Sequence, residues 1–403
     1  MTEVRVPGDK SIAHRFLILA ALARGESRLA GVPESLDVES TRECLRSLGA
    51  EFKADGAGKA VIRGPALWRS PAGTLDCGNS GTTARLLAGL LCGLGLEAEL
   101  SGDSSLNRRP MDRVVYPLQA MGARISYVGE HDRLPIRVES RATGQLRFLR
   151  YRPRISSAQV RAALILAALG SRTNLEILDR LRPRDHTERI LRSMGVPIAS
   201  EPEGEGERIR FEASTWSGDP LPLTAEVPGD LSSAAFLVVG GLLLGRRLTI
   251  RGVGLNPSRA GFLEILARMG ADVSQTLGAE EAGEPRGDLS VRADSLGPFS
   301  INEAQVPGLL DEVPALAVLA CRAGGVSEIR GAAELRVKES DRLRRLASNL
   351  QAVGVRCEEL DDGLRIHGTD APLRGGVRTG GDHRIAMAFG VLGASPDCEI
   401  EID

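Results

Sequence analysis

Hydrophobic and polar positions along the chain switch between two periods. SIAHRFLILAALARG and VESTRECLRSLG place apolar residues at helical spacing, the first running into a glycine suited to a helix C-terminus. Between and after them, SRLAGV reads as a short strand and AEFKADGAGKAVIRG as a hairpin with glycines at its turn. The order strand, helix, strand, helix, hairpin then recurs. Its marker is a helix-ending glycine: Gly49 in SLGAEF, Gly122 in AMGARI, Gly195 in SMGVPI, Gly270 in RMGADV and Gly354 in AVGVRC. These glycines lie 73, 73, 75 and 84 residues apart. Upstream of each, a polar cluster opens an apolar helix: KSIAHR, NSGTTAR, SSAQVR, GDLSSAA and DEVPALA. A sixth opening, GDHRIAMAF, has no closing glycine before Asp403, so the last repeat is expected to be truncated.

A second landmark has the same long period. VPGD occurs at Val6 and again at Val227, 221 residues on, and 221 residues also separate Gly49 from Gly270. Six repeats of roughly 75 residues exceed ordinary solenoid units and group better as two domains of three. VPGD would mark where the chain passes between them. The expected class is α/β of the α+β type: six βαβαββ units, three per domain, the last truncated.

Composition narrows the function classes. The 403 residues are 42% hydrophobic but only 3% aromatic, enough for a large aliphatic core. A net charge of −2 without a basic or acidic tail speaks against nucleic acid or an anionic membrane as partner. Runs such as FLVVGGLLLG fall short of the ~20 residues that span a bilayer, and MTEVRVPGDK lacks a signal pattern. Six scattered cysteines, with no C-x-x-C pair, read as reduced buried thiols rather than zinc ligands or a disulfide framework. A soluble cytoplasmic protein is expected.

The chemistry lies at the helix openings. Lys10, Arg15, Arg85, Arg161, His383 and Arg384 stand in or near first helical turns. A helix N-terminus carries about +0.5 charge, so cations there are unfavourable unless an anion sits among them. Serine, threonine and aspartate at any one opening are ordinary caps. Several openings with cations, if they converge, predict a site for small phosphate- and carboxylate-bearing substrates. Neither G-x-x-x-x-G-K-[ST] nor a post-strand G-x-G-x-x-G is present, which disfavours a nucleotide. Asp311 in LLDEVPAL and Glu339 in RVKESDR stand out in this basic setting. They read either as a cap and a surface ion pair or as proton-transfer groups. The chain has four lysines (Lys10, Lys53, Lys59, Lys338) against 47 arginines, and half of those lysines fall in these motifs. An ammonium can lose its proton and a guanidinium cannot, so arginine would not serve equally there.

Taken in order, PGDKSIAHR, GNSGTTARLLAGLL, NRRPMDRV, SSAQVRAALILAAL, RDHTERIL, VPGDLSSAAF, DEVPALAVLA, LRVKESDRL and GDHRIAMAF resemble the 5-enolpyruvylshikimate-3-phosphate synthase family. The resemblance runs from Val6 to about Ala388. It implies the two-domain enolpyruvyl-transferase fold, with one domain over residues 10–228 and the other formed by 1–9 with 229–403. It implies 3-phosphoshikimate 1-carboxyvinyltransferase activity: transfer of the enolpyruvyl group of phosphoenolpyruvate to the 5-hydroxyl of shikimate-3-phosphate, with release of phosphate, on the shikimate pathway to chorismate and the aromatic amino acids. No metal or organic cofactor and a monomeric enzyme are expected. Shikimate-3-phosphate contacts carry over to Lys10, Ser11, Arg15, Ser157, Gln159, Asp311 and Lys338. Those to phosphoenolpyruvate carry over to Lys10, Gly81, Arg109, Gln159, Arg342 and Arg384. Asp311 and Glu339 match the acid–base pair, with Lys10 the third catalytic residue. The herbicide glyphosate would compete for the phosphoenolpyruvate pocket against Gly81.

This sequence also departs from the family pattern. Ala158 stands where a second hydroxyl is usual, Ala13 replaces a serine, and Pro183 replaces the serine before RDHTE, with loss of a phosphate contact expected. Relatives usually continue past the position of Asp403 into a last helix. Two other readings stay open. The UDP-N-acetylglucosamine enolpyruvyl transferases share the fold, but they carry asparagine where Ser11 stands and a loop cysteine where Ser104 stands. A non-catalytic binding protein on this scaffold is the other.

Overall fold

The computed structural model describes residues 2–141, 145–216, 218–292 and 295–403. The chain divides into two compact bodies. The N-terminal body comprises Pro7–Pro228 with Glu280–Glu284; the C-terminal body comprises the segment up to Val6, Gly229–Ala279 and Pro285–Asp403. Each has its own apolar core, one built from residues between Ile12 and Val227, the other from residues between Leu231 and Leu392.

Helices of the N-terminal body are α1 (Lys10–Leu22), α2 (Leu36–Ser47), α3 (Gly81–Leu94), α4 (Asp112–Ala120), α5 (Ala158–Ser171) and α6 (His186–Ser193). Those of the C-terminal body are α7 (Leu231–Leu243), α8 (Gly261–Arg268), α9 (Val313–Ala320), α10 (Arg342–Ala352) and α11 (His383–Gly393). One topology recurs five times. Two parallel strands flank a helix, a second helix follows, and an antiparallel hairpin then closes a four-stranded sheet. In the sixth repeat, Leu373–Val377 and Cys398–Ile402 pair in parallel around α11. The marker glycines explain their recurrence: Gly49, Gly122, Gly195, Gly270 and Gly354 all have φ between 77° and 108°. Side chains with a Cβ rarely adopt that region, so the turn from helix to hairpin selects glycine.

The two VPGD copies mark an exchange of strands. Thr2–Arg5, just before the first copy, pairs in parallel with Leu248–Gly254 of the C-terminal body. Thr224–Glu226, just before the second, pairs in parallel with Glu26–Ala30 of the N-terminal body. Each copy therefore ends a strand of one body and opens a helix of the other. Its aspartate is the helix cap: Asp9 accepts from the Ile12 N–H at 3.0 Å and Asp230 from the Ser232 N–H at 3.0 Å.

Helices α3 and α5 lie side by side, backbone against backbone. A Cβ added at Gly89 would sit 2.1 Å from the Ala163 carbonyl oxygen, and one at Gly93 2.7 Å from that of Ala167. Gly89 and Gly93, one turn apart, are the groove into which α5 fits.

Candidate active site

Within the N-terminal body, N-terminal turns meet one another. Thr83, in the first turn of α3, lies 2.6 Å from the Thr41 hydroxyl on α2, which lies 2.7 Å from His14 Nδ1 on α1. Burial pushes His14 down to about 3, so the imidazole in this chain is neutral. Lys10 opens α1, and its Nζ lies 2.8 Å from Asp37 Oδ2 in the first turn of α2. Arg15 is buried one turn on, donating Nε to Thr187 Oγ1 at 2.8 Å and Nη1 to the Ser11 carbonyl at 2.8 Å. Desolvation lowers the Arg15 guanidinium to about 10.

The close packing of α3 on α5 brings Gly81 and Gln159 together. The Gln159 amide is fixed at both ends: Oε1 accepts from Arg85 Nη1 at 2.9 Å and Nε2 donates to Thr82 Oγ1 at 3.0 Å. Arg85 also donates to the Gly81 and Pro110 carbonyls. Arg109 donates to both the side-chain and backbone oxygens of Asn79, whose amide reaches Asp103 at 2.6 Å. A Cβ at Gly81 would stand 2.6 Å from Arg85 Nη1 and 3.5 Å from Arg109 Nη1. Ser157 occupies the N-cap position of α5 without making a capping bond.

The C-terminal body gathers the acids. Asp311 lies in a 3-10 turn, Leu310–Glu312, leading into α9, and Glu339 lies just before α10. Both face the buried Arg342 guanidinium: Glu339 Oε2 at 2.5 Å from Nη2 and Asp311 Oδ1 at 3.7 Å from Nη1. A third carboxylate, Asp382, takes Arg342 Nε at 2.9 Å while capping α11 through the Arg384 N–H at 3.0 Å. Burial alone would raise the Asp382 carboxyl, but Arg342, Ser340 and that N–H outweigh it and hold it low. Arg384 Nη1 donates to the Asp311 carbonyl at 2.9 Å. Desolvation works against the Arg384 charge, and Asp311, Asp230, Glu312 and Glu339 more than offset it. Lys338 Nζ lies 3.4 Å from Glu334 Oε1.

Arg161 stands in the first turn of α5, as the sequence places it, and is buried, with Nε 2.6 Å from Glu188 and Nη1 2.7 Å from Glu207. Its charge is balanced inside the protein, which is how a guanidinium is tolerated beside a helix N-terminus. Conversely, Asp37, Thr187 and Asp382 hold candidate residues in place and were not singled out. Asp382 could have been, since GDHR repeats the aspartate-before-helix pattern of PGDK. Asp37 left no local signal, because its pairing with Lys10 spans 27 residues. Among the described residues no group of three or more His, Cys, Asp or Glu is arranged to hold a metal ion, and no helix is long and apolar enough to cross a membrane.

A family model described as EPSP synthase (3-phosphoshikimate 1-carboxyvinyltransferase) matches residues 1–403. A 3-phosphoshikimate 1-carboxyvinyltransferase of Thermus thermophilus is 47% identical, covering 99% of this chain and 91% of that protein. One from Anaeromyxobacter is 46% identical, over 96% of this chain and 86% of that protein. Among solved structures, an EPSP synthase of Acinetobacter baumannii superposes with a TM-score of 0.83 at 35% identity, covering 98% of this chain and 89% of that one.

Proposed function

The chain belongs to the EPSP synthase family, and from that premise we propose that it transfers the enolpyruvyl group of phosphoenolpyruvate to the 5-hydroxyl of shikimate-3-phosphate, releasing phosphate. The observation that carries the mechanistic reading is the placing of two carboxylates against one buried guanidinium. Arg342 meets Asp311, Glu339 and Asp382 at once. An incoming anion can share Arg342 only if negative charge nearby is neutralised or displaced. Asp382 is buried and doubly bonded to Arg342, and the proton transfers fall to Asp311 and Glu339, the residues that match the family's acid–base pair.

In this reading Asp311 takes the proton of the 5-hydroxyl as its oxygen bonds to C2 of phosphoenolpyruvate. Glu339 delivers a proton to the C3 methylene, giving a tetrahedral ketal. Loss of a C3 proton and cleavage of the C2–O bond to phosphate then restore the double bond. Lys10, Arg109, Arg342 and Arg384 stabilise the phosphate and carboxylate charges, with Lys10 acting in both substrate sites. Ser11, Arg15, Ser157 and Lys338 hold shikimate-3-phosphate, and Gln159 serves both ligands. Gly81, at the N-terminus of α3 beside Arg85 and Arg109, is the backbone of the phosphoenolpyruvate pocket in this reading. A cytoplasmic location, supported by six unpaired cysteines, five of them buried, and a monomeric state complete the proposal.

The test is phosphate release with each substrate alone and with both. Release that requires both, together with the enolpyruvyl ether as product, supports the reading. Absence of release with both, or release from phosphoenolpyruvate alone, overturns it.

A further inference from the structure

The residue after Asp311 is a fully buried acid. Glu312 is 0% exposed, and its Oε1 accepts from Arg259 Nη2 at 3.0 Å and from the Ser232 hydroxyl. Arg259, itself buried, donates to the same hydroxyl at 2.6 Å and lies 3.6 Å from Asp230 Oδ1. Ser232 and Asp230 belong to the second VPGD helix opening, where Leu231 stands in the position that Lys10 holds in the first. Three separate segments thus converge on one carboxylate: the cap of α7, the turn before α8 and the turn before α9.

A buried ion pair is a poor way to gain stability, since well-packed apolar residues of similar volume serve as well or better. What it does supply is direction. The turn Leu310–Glu312 is held at two adjacent residues: Arg384 bonds the Asp311 carbonyl at 2.9 Å, and Arg259 with Ser232 bonds the Glu312 side chain. Both restraints act on the backbone that aims the Asp311 carboxylate, 3.7 Å from Arg342. No other part of the proposed mechanism uses Glu312, Arg259 or Ser232.

We propose that Glu312 is a positioning residue, anchored by Arg259 and Ser232, that fixes the orientation in which Asp311 accepts the substrate proton. The inference rests on the reading of Asp311 as that acceptor. A group acting only through Asp311 changes turnover and not affinity, and loses its effect once Asp311 cannot take a proton.

Steady-state kinetics of Glu312→Ala, Glu312→Gln, Asp311→Asn and the Asp311→Asn/Glu312→Ala pair tests this. Glu312→Ala should lower kcat about 10- to 100-fold, leaving KM for both substrates within about 3-fold. Glu312→Gln keeps an oxygen for Arg259 and Ser232 and should recover most of the loss. On the Asp311→Asn background, Glu312→Ala should cost less than about 2-fold more. Unchanged kcat, a rise in KM at constant kcat, or the full loss on the Asp311→Asn background would each overturn the proposal. If Glu312→Ala does not fold, Ser232→Ala removes one anchor at little change in volume. Its several-fold loss of kcat must likewise vanish on the Asp311→Asn background, and equal loss on both is the refuting result. Near-normal turnover of Asp311→Asn alone defeats the Asp311 reading itself and takes this inference with it; a slow Asp311→Asn with additive Glu312→Ala defeats only the inference.

Discussion

At Arg342 three unequally buried carboxylates share one guanidinium, and the proposed function gives them different tasks. Asp382 is buried and bonded to the guanidinium twice, whereas Asp311 and Glu339 are partly exposed. Asp311→Asn or Glu339→Gln should therefore lower turnover by roughly 10²-fold or more while phosphoenolpyruvate binds as well or tighter, because a negative charge has gone. Steady-state kinetics beside direct titration of the ligand checks both halves. Gly81→Ala has a different consequence. The new methyl meets Arg85 Nη1 at 2.6 Å, and that nitrogen holds the Gln159 amide. The guanidinium must move and Gln159 with it, so KM for phosphoenolpyruvate should rise several-fold with little change in melting temperature. An unchanged KM would place Gly81 outside the pocket. His14 carries a pH effect. Its folded value is about 3 against 6.5 when unfolded, so the unfolded chain alone binds the proton between those limits. The stability that depends on a neutral His14 is whole above about pH 6.5 and is lost progressively as the pH drops toward 3. Urea midpoints between pH 7 and 4 should show this decline, and His14→Gln should make it shallower.

Helices α3 and α5 show how an element places a site. Because Gly89 and Gly93 let α5 approach to backbone contact, Gln159 reaches Thr82 and Arg85 at the adjoining N-termini. Gly89→Ala must push the helices apart, since its Cβ would lie 2.1 Å from the Ala163 oxygen. A loss of about 3 kcal/mol is expected, read as a lower urea midpoint, together with weaker phosphoenolpyruvate binding. At this scale much was legible in the chain. The repeating glycines are forced by positive φ, so the sequence carries one after each of α2, α4, α6, α8 and α10, and the hydrophobic periods between them follow. The destination of the strands was less so. Thr224–Glu226 is three residues long, and nothing local says that it pairs with Glu26–Ala30 rather than with its neighbours in sequence. Side-chain partners fare the same way: the bonds of Glu312 to Arg259 and Ser232 span 53 and 80 residues. The carboxylates that balance Arg161 are equally hidden from the sequence, lying on α6 and a distant strand.

For the whole molecule the thiols give a simple readout. Cys44, Cys77, Cys92, Cys321 and Cys357 are buried and Cys398 is half-buried. Burial pushes Cys92 and Cys357 up to about 12, so neither forms the reactive thiolate near neutral pH. A chromogenic disulfide reagent should label about one thiol per chain quickly, at Cys398, and six after denaturation. Rapid labelling of several in the native protein would contradict this burial.

The exchange of strands at VPGD has a consequence for the order in which the protein is made. Residues Pro7–Pro228 leave the ribosome as one continuous run that contains both Glu26–Ala30 and its partner Thr224–Glu226. That body can complete its sheets before the rest of the chain exists. The C-terminal body cannot do so from its own stretch alone. Its strand Thr2–Arg5 is synthesised long before its partner, since Thr2 pairs with Leu248. At ~5–20 residues per second the strand waits roughly 12–50 seconds for that partner. Throughout that interval Thr2–Arg5 stays unpaired, an open edge that a chaperone or another nascent chain can reach.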